Sequence, residues 1–219
     1  MAPSTIWLAR HGETTWNLTG RYQGRRESPL SARGVRQGRA LADAFAQALA
    51  RGDAVPARIV SSPMQRCTAT ARFTASHLGV ELETDARLIE IAHGTWEGRY
   101  RDELAANDPQ RYRAWREDPA TVSFQGGESL GDVRARWRAF AGDLAARDEN
   151  TLVVTHDAVV RCALVDLRGA PLDDFWQMRV ENAAFAVLDR DGAGHLRLRD
   201  ECVSAHLAGL RADVTAQAL

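Results

Sequence analysis

Three short apolar runs along the chain have the length and composition of buried β-strands. They cover 5–9, 58–61 and 151–155, and each is rich in Ile, Val, Leu or Trp. Each run stops abruptly at a cluster of polar residues. The pattern predicts three strands that end where chemically active side chains begin.

Between these runs, apolar residues recur at steps of three and four, which is typical of amphipathic helices. Ser31 is placed to cap a helix that ends at Gly52, and Ser62 with Pro63 at the first helical position indicates the start of another. Ser129 and Asp132 form the pattern of a capping box. The predicted helices cover 32–51, 63–79, 100–118, 129–144 and the apolar stretch that ends at Gly169.

The remaining segments complete the prediction of the fold. Residues 80–91 are predicted to be extended, and 183–188 and 196–198 are predicted to form a hairpin at the edge of the sheet. Strands that alternate with long helices favour an α/β fold, a three-layer α/β/α sandwich around a mainly parallel sheet with an antiparallel edge. We expect one domain over 1–219, with a helical insertion at about 99–127 that caps the substrate.

The composition excludes several kinds of chemistry. All 28 basic residues are arginine, so Schiff-base catalysis, a P-loop and Ser-Lys hydrolysis are excluded. The formal net charge of −1 argues against a nucleic-acid partner. No membrane span or export signal is visible, and the three cysteines suggest no disulfide framework, so the expected location is the cytoplasm. The sequence leaves a homo-oligomer open.

Polar clusters follow the three predicted strands: Arg10 with His11, Ser62 to Arg66, and His156 with Asp157. In open α/β sheets, ligands bind beyond the carboxyl ends of the strands, so these clusters could converge on one crevice. A neutral imidazole is a competent nucleophile toward phosphorus, and neighbouring arginines would lower the charge repulsion against an incoming phosphoryl group.

Two residues of these clusters have a specific reason to bind an anion. Arg66 falls in the first turn of a predicted helix, where backbone N–H groups already favour negative charge. His156 follows a buried strand and needs a polar partner, which phosphate would supply. The alternative for Arg66 is a solvated surface residue, and the alternative for His11 is a histidine that only caps a loop through hydrogen bonds.

A metal site is the competing interpretation of His11, His156, Asp157 and His93, since imidazole and carboxylate are common zinc ligands. No His-x-x-x-His or Cys-x-x-Cys spacing supports it. The arginines of the same clusters would repel a divalent cation and attract an anion. We therefore expect no metal and no other cofactor.

Four segments together resemble the histidine phosphatase superfamily, in its phosphoglycerate-mutase-like branch. They are 8–14 with Asn17, 61–71, 88–98 and 153–161, and they occur in the family's order. The resemblance implies that His11 accepts the phosphoryl group as phosphohistidine and that Glu90 protonates the leaving oxygen. It also implies a phosphate pocket lined by Arg10, Asn17, Arg66 and His156.

One residue departs from this branch of the family. Asp157 follows the second histidine, as in the acid-phosphatase and phytase branch, where the aspartate is the proton donor. The segment around Glu90 matches its own branch over eleven residues, and burial beside Ile89 and Ile91 could raise the pKa of Glu90. Glu90 is therefore the favoured acid, while Asp157 is an alternative acid, a substrate contact or a helix cap.

The leading functional hypothesis is a cofactor-free phosphatase that hydrolyses a phosphate monoester of a small metabolite. A phosphoglycerate mutase is the alternative, but the segment after Glu90 lacks the longer, lysine-bearing covering element of those mutases. A non-catalytic phospho-ligand sensor is a third hypothesis, against which the presence of both nucleophile and acid argues. The residues that would select the substrate lie at about 100–125.

Overall fold

The computed structural model describes residues 4–214, 217 and 218, and within them six strands form a single mixed sheet. The strand order is β3-β2-β4-β1-β5-β6. The first four of these pair in parallel, and β5 and β6 add an antiparallel edge. The strands are β1 (Thr5–Arg10), β2 (Arg58–Ser61), β3 (Leu82–Thr84), β4 (Thr151–Thr155), β5 (Phe185–Arg190) and β6 (Leu196–Val203).

Seven α-helices accompany the sheet in the described part of the chain. They are α1 (Thr15–Leu18), α2 (Ala32–Arg51), α3 (Gln65–Leu78), α4 (Arg101–Asn107), α5 (Pro109–Glu117), α6 (Leu130–Ala145) and α7 (Asp157–Leu167). Side chains of α2 and α3 pack on one face of the sheet, and side chains of α6 and α7 pack on the other. This arrangement confirms the predicted three-layer α/β/α sandwich.

The alternation of side chains along β1 divides the apolar core between the two faces. Ile6 and Leu8 pack with α6 and α7, whereas Trp7 and Ala9 pack with α2 and α3. All six residues of β1 are buried, because this strand lies inside the sheet with helices on both sides. This burial explains why residues 6–9 of β1 form a continuous apolar run.

The register of the parallel strands brings three chain segments to the same edge. Arg10 at the end of β1 pairs with Thr155 at the end of β4, and Ser61 of β2 pairs with Val154. The next residues continue the pairing: the His11 N–H donates to the Thr155 carbonyl at 2.9 Å, and the Ser62 N–H donates to the Val154 carbonyl at 2.9 Å. The three predicted clusters therefore lie side by side.

The start of α3 differs from the sequence prediction. The helix begins at Gln65 with Met64 at the N-cap, instead of at Pro63 with Ser62 as the cap. The hydroxyl of Ser62 lies 2.8 Å from a ring nitrogen of His156. Ser62 has the residue type of a helix cap, but its side chain contacts His156 from a distant part of the chain.

Three further boundaries also differ from prediction. Only Leu82–Thr84 of the predicted extended segment 80–91 is strand, and a 3-10 turn at Ala86–Leu88 follows it. Residues 100–118 form two helices rather than one, because Pro109 starts α5 after a break at Asp108. The last strand, β6, extends beyond 198 to Val203.

No helix among the described residues is both long enough and apolar enough to cross a bilayer. The prediction that the chain starts without an export signal rests partly on residues 1–3. Those residues lie outside the described part.

Two glycines allow the loop after β1 to lie directly against the start of α2. A Cβ atom at Gly12 would lie 2.6 Å from the Gly34 carbonyl oxygen, and one at Gly34 would lie 1.9 Å from the Glu13 carbonyl oxygen. Glu13 also binds the cap of α2, since its carboxylate accepts a hydrogen bond from Ser31 Oγ at 2.6 Å. Backbone contact at these glycines thus fixes the loop that carries His11.

We expect Gly34→Ala to lower the free energy of unfolding by about 1–3 kcal/mol, because the added methyl group would overlap rigid backbone. Gly142→Ala is the matched control: Gly142 is also helical, but a Cβ there meets nothing within 4 Å. The control should raise stability by about 1 kcal/mol through helix propensity. Urea unfolding of both variants measures the difference in the free energy of unfolding. Equal values for the two variants would contradict the close approach of the backbone at Gly34 to that at Glu13.

Candidate active site

His11 is held with one ring nitrogen turned to its own backbone. It follows β1 directly, is 2% exposed, and its Nδ1 lies 2.7 Å from the carbonyl oxygen of Gly12. A carbonyl oxygen can only accept, so Nδ1 carries the proton. The Nε2 lone pair is then available for chemistry.

His156 has the opposite proton arrangement. Its Nδ1 accepts a hydrogen bond from Arg66 Nε at 3.2 Å, and since a guanidinium can only donate, the ring proton lies on Nε2. That nitrogen is 2.8 Å from Ser62 Oγ. The rings of His11 and His156 are 5.3 Å apart between centroids, in an edge-to-face arrangement.

Both histidines are held in the neutral form. Burial lowers the pKa of each ring well below its usual value, and the positive charge of Arg66 lowers it further. Arg10 adds to the same effect on His11. The His11 imidazole therefore keeps its lone pair at neutral pH.

Arg66 is almost completely buried without a close carboxylate partner. Its Nη2 donates to the Gly24 carbonyl at 2.7 Å and its Nη1 to the Arg26 carbonyl at 3.0 Å, while the Glu27 carboxylate is 3.9 Å away. Backbone oxygens thus satisfy the guanidinium without neutralising its charge. A buried positive charge of this kind favours an anionic ligand.

Arg10 is buried between an acid and an amide. Its Nη1 lies 3.0 Å from Asp157 Oδ1, and its Nη2 donates to Gln217 Oε1 at 2.6 Å. The Gln217 amide nitrogen donates in turn to Asn182 Oδ1 at 2.8 Å, and Asn182 donates to the His11 carbonyl at 3.3 Å. These contacts orient Arg10 beside the nucleophile candidate.

Asp157 is shared by two guanidinium groups. Besides Arg10, it accepts a hydrogen bond from Arg161 Nε at 2.5 Å, one helical turn further along α7. Arg161 also donates to the backbone carbonyls of Phe175 and Met178. Asp157 therefore acts as an ion-pair partner that positions Arg10.

Glu90 is a buried carboxyl group that forms no such ion pair with any residue the structure describes. Burial raises its pKa to about 7, against the opposing effect of the Arg66 charge and the hydrogen bond from the Ile91 N–H at 2.9 Å. Its segment is tied to β4, since Thr155 Oγ1 donates to the Leu88 carbonyl at 2.7 Å. Glu90 can thus hold a proton near neutral pH.

For two of the residues considered in the sequence, the structure shows contacts with neighbouring side chains rather than with the arginines or with His11. Asn17 is buried, and its side-chain oxygen accepts from Thr14 N and Oγ1, both at 3.0 Å, in the capping box of α1. His93 lies in an aromatic cluster with Tyr22 and Phe124, and burial lowers its pKa to about 3. No group of three or more potential metal-binding His, Cys, Asp or Glu side chains occurs among the described residues.

Sequence reasoning missed three residues that shape this site. The sequence places Ser62 in a polar cluster at a strand end but predicts a helix cap for its side chain, and it gives no role to Gln217. Arg161 lies at the end of the matching segment 153–161, and its spacing of four from Asp157 on a helix is a recognisable ion-pair pattern that the sequence analysis did not use.

A family model described as histidine phosphatase superfamily (branch 1) matches residues 6–200. Phosphoserine phosphatase 1 of Hydrogenobacter thermophilus is 37% identical over 83% of this chain and 84% of its own length. The adenosylcobalamin/alpha-ribazole phosphatase of Escherichia coli is 30% identical over 84% of this chain and 89% of its own.

Among solved structures, that of Bacillus stearothermophilus YhfR superimposes with a TM-score of 0.84 at 30% identity. The superposition covers 93% of this chain and 99% of the YhfR chain. The similarity therefore extends over sequence and fold alike. The chain belongs to the histidine phosphatase superfamily.

Proposed function

We propose that the protein hydrolyses a phosphate monoester of a small metabolite through a phosphohistidine on His11. The observation that carries the proposal is the tautomer of His11: with Nδ1 bound to the Gly12 carbonyl, the Nε2 lone pair is free in a site of buried arginines. The names of the relatives, which are phosphatases of small phosphorylated compounds, support the same reaction class.

In the first step, Nε2 of His11 attacks phosphorus, and the bond between phosphorus and the ester oxygen breaks. Arg10 and Arg66 stabilise the charge that develops on the phosphoryl oxygens. On the resemblance we assign His156 to the same pocket, although its Nε2–H faces Ser62 Oγ. We also assign Asn17 to this pocket, on the resemblance alone. Glu90 gives its proton to the leaving oxygen, so the alcohol departs neutral.

In the second step, water attacks phosphorus and the bond to His11 breaks. The Glu90 carboxylate, now deprotonated, accepts a proton from that water, which restores the acid for the next cycle. Inorganic phosphate leaves, and His11 returns to its neutral form. The arginines supply the charge stabilisation that a metal ion supplies in other phosphatases, so no metal enters the cycle.

The contacts of Asp157 support Glu90 as the proton donor. Two guanidinium groups hold the Asp157 carboxylate, whereas Glu90 has no ion-pair partner within 4 Å among the described residues. We assign Asp157 the positioning of Arg10. The segment 99–127 as a cover for the substrate, the cytoplasmic location and the oligomeric state stay predictions of the sequence.

We expect His11→Ala to reduce phosphate release from p-nitrophenyl phosphate below about one thousandth of the wild-type rate, because the nucleophile is lost. His77→Ala is the control, since His77 is exposed on α3 and should leave the rate unchanged. Rapid acid-free quenching of the wild type should trap a phosphorylated chain that His11→Ala lacks. Retention of about a tenth of the activity by His11→Ala would refute the assignment.

Glu90→Gln should slow hydrolysis of an alkyl phosphate about 100-fold and affect p-nitrophenyl phosphate much less, because only the basic alkoxide needs protonation. With a pKa of about 7, the acid is lost as the pH rises through that value, so wild-type kcat/KM for the alkyl ester should fall above pH 7. The variant should lack this decline. If Asp157→Asn alone showed the leaving-group dependence, Asp157 would be the donor.

Millimolar EDTA should leave the rate of hydrolysis unchanged, because arginines stabilise the charge of the phosphoryl group. The measurement is phosphate release before and after dialysis against the chelator. Loss of activity that added zinc restores would revive the metal-site interpretation.

A further inference from the structure

A cavity of about 340 Å³ opens beside the proposed phosphate site and shares Arg10 and Asp157 with it. Its far side is formed by α5 and by the turn at Leu172–Gln177 with the residues after it. The volume is at the small end of ligand pockets in proteins. A substrate with its phosphate beside Arg10 would place its alcohol portion in this cavity.

The charged residues of the cavity are mostly cations. Arg10, Arg116, Arg161 and Arg179 line it, and Asp157 is the single acid among its lining residues. Asp157 already pairs with Arg10 and Arg161. The wall therefore carries more positive charge than its own carboxylate balances.

Arg116 and Arg179 differ in how their charge is balanced. Arg179 lies against Glu181, with 2.5 Å between Arg179 Nη2 and Glu181 Oε1. Arg116 has no carboxylate within 4 Å in the described part of the chain, and no hydrogen bond is formed by its guanidinium there. Arg116 is thus a cation at the cavity wall that is available to a ligand.

An aromatic ring, rather than an acid, holds Arg116 in place. Its guanidinium carbon lies 4.1 Å from the ring centroid of Trp176. The indole is itself fixed, because Trp176 Nε1 donates to the Trp115 carbonyl at 2.6 Å. A cation–π contact orients the guanidinium without neutralising its charge. The N–H groups at the edge of the guanidinium plane stay free to bind an anion in a bidentate manner.

We propose that the substrate carries a second acidic group besides its phosphate and that Arg116 binds this group. The inference rests on the proposed phosphatase function and specifies its substrate class: a small phosphate monoester whose alcohol portion bears a carboxylate or a second phosphate. Family membership leaves this class open, since the names of the relatives include both an amino-acid phosphatase and a ribazole phosphatase.

The apolar part of the cavity limits the size of that substrate. Met178, Val180 and Val214 line it together with Trp176. These side chains offer contact to a short carbon skeleton but no hydrogen bonds from side-chain groups. Gln177 and Gln217 also line the cavity, but their amides already bond other side chains, so discrimination between substrates should depend on the second anion.

The test compares substrate pairs that differ only in the second acidic group. O-phosphoserine against O-phosphoethanolamine and 3-phosphoglycerate against glycerol 3-phosphate test a carboxylate, and fructose 1,6-bisphosphate against fructose 6-phosphate tests a phosphate. We expect wild-type kcat/KM to be at least about tenfold higher for the acidic member of one pair class, mainly through KM. A preference within the carboxylate pairs would identify the second acidic group as a carboxylate, and a preference within the phosphate pair would identify it as a phosphate.

Arg116→Ala should reduce that preference about tenfold, and Arg116→Glu should reverse it. Arg113→Ala is the matched control: Arg113 is an exposed arginine on the same helix that does not line the cavity, so the wild-type preference should remain. Thermal unfolding of each variant checks that the fold is retained. A preference that survives Arg116→Glu would overturn the proposal.

The outcomes separate this inference from the proposed function. If wild type hydrolyses p-nitrophenyl phosphate and both members of every pair equally well, the phosphatase function stands and the second-anion site is wrong. If wild type hydrolyses none of these esters, the phosphatase function itself fails.

Discussion

The pairing of β1 with β4 is the constraint on which the site depends. Because Arg10 and Thr155 are in register, the residues that follow them, His11 and His156, leave the sheet at the same level and next to each other. A shift of one residue in this register would turn the side chains of β1 to the opposite faces. The apolar residues of β1 pack on both faces, so any such shift would disrupt both cores and the site together.

Buried positive charge is the second feature on which the site depends. Arg66 and Arg10 are both nearly inaccessible, and they are stabilised in different ways: Arg66 by backbone carbonyls, Arg10 by Asp157 and Gln217. Backbone carbonyls leave the positive charge of Arg66 in place. The contacts of Arg10 fix its orientation, but the Asp157 carboxylate partly neutralises its charge. Burial is the main reason that both histidines stay unprotonated, and the charges of Arg66 and Arg10 lower the pKa of each ring further.

Most of the fold and the central residues of the site could be predicted from the sequence, because they lie in contiguous motifs at strand ends. Contacts between distant segments could not. Gln217 reaches Arg10 across 207 positions, and nothing in its local sequence indicates this. Arg116 and Arg113 look alike along α5, and only the tertiary position of Trp176 distinguishes them. Ser62 has the residue type of a helix cap, but its hydroxyl instead lies within hydrogen-bond distance of the buried ring of His156. A buried ring nitrogen without a partner would lower stability.

The hydrogen bond from His11 Nδ1 to the Gly12 carbonyl has a consequence for the chemical identity of the intermediate. An imidazole can be phosphorylated at either nitrogen, which gives two positional isomers of phosphohistidine. With Nδ1 occupied by its proton and the backbone, only Nε2 can form the bond to phosphorus in the proposed reaction. The backbone of a single residue thus makes the covalent intermediate regiospecific, and the enzyme should form one isomer only.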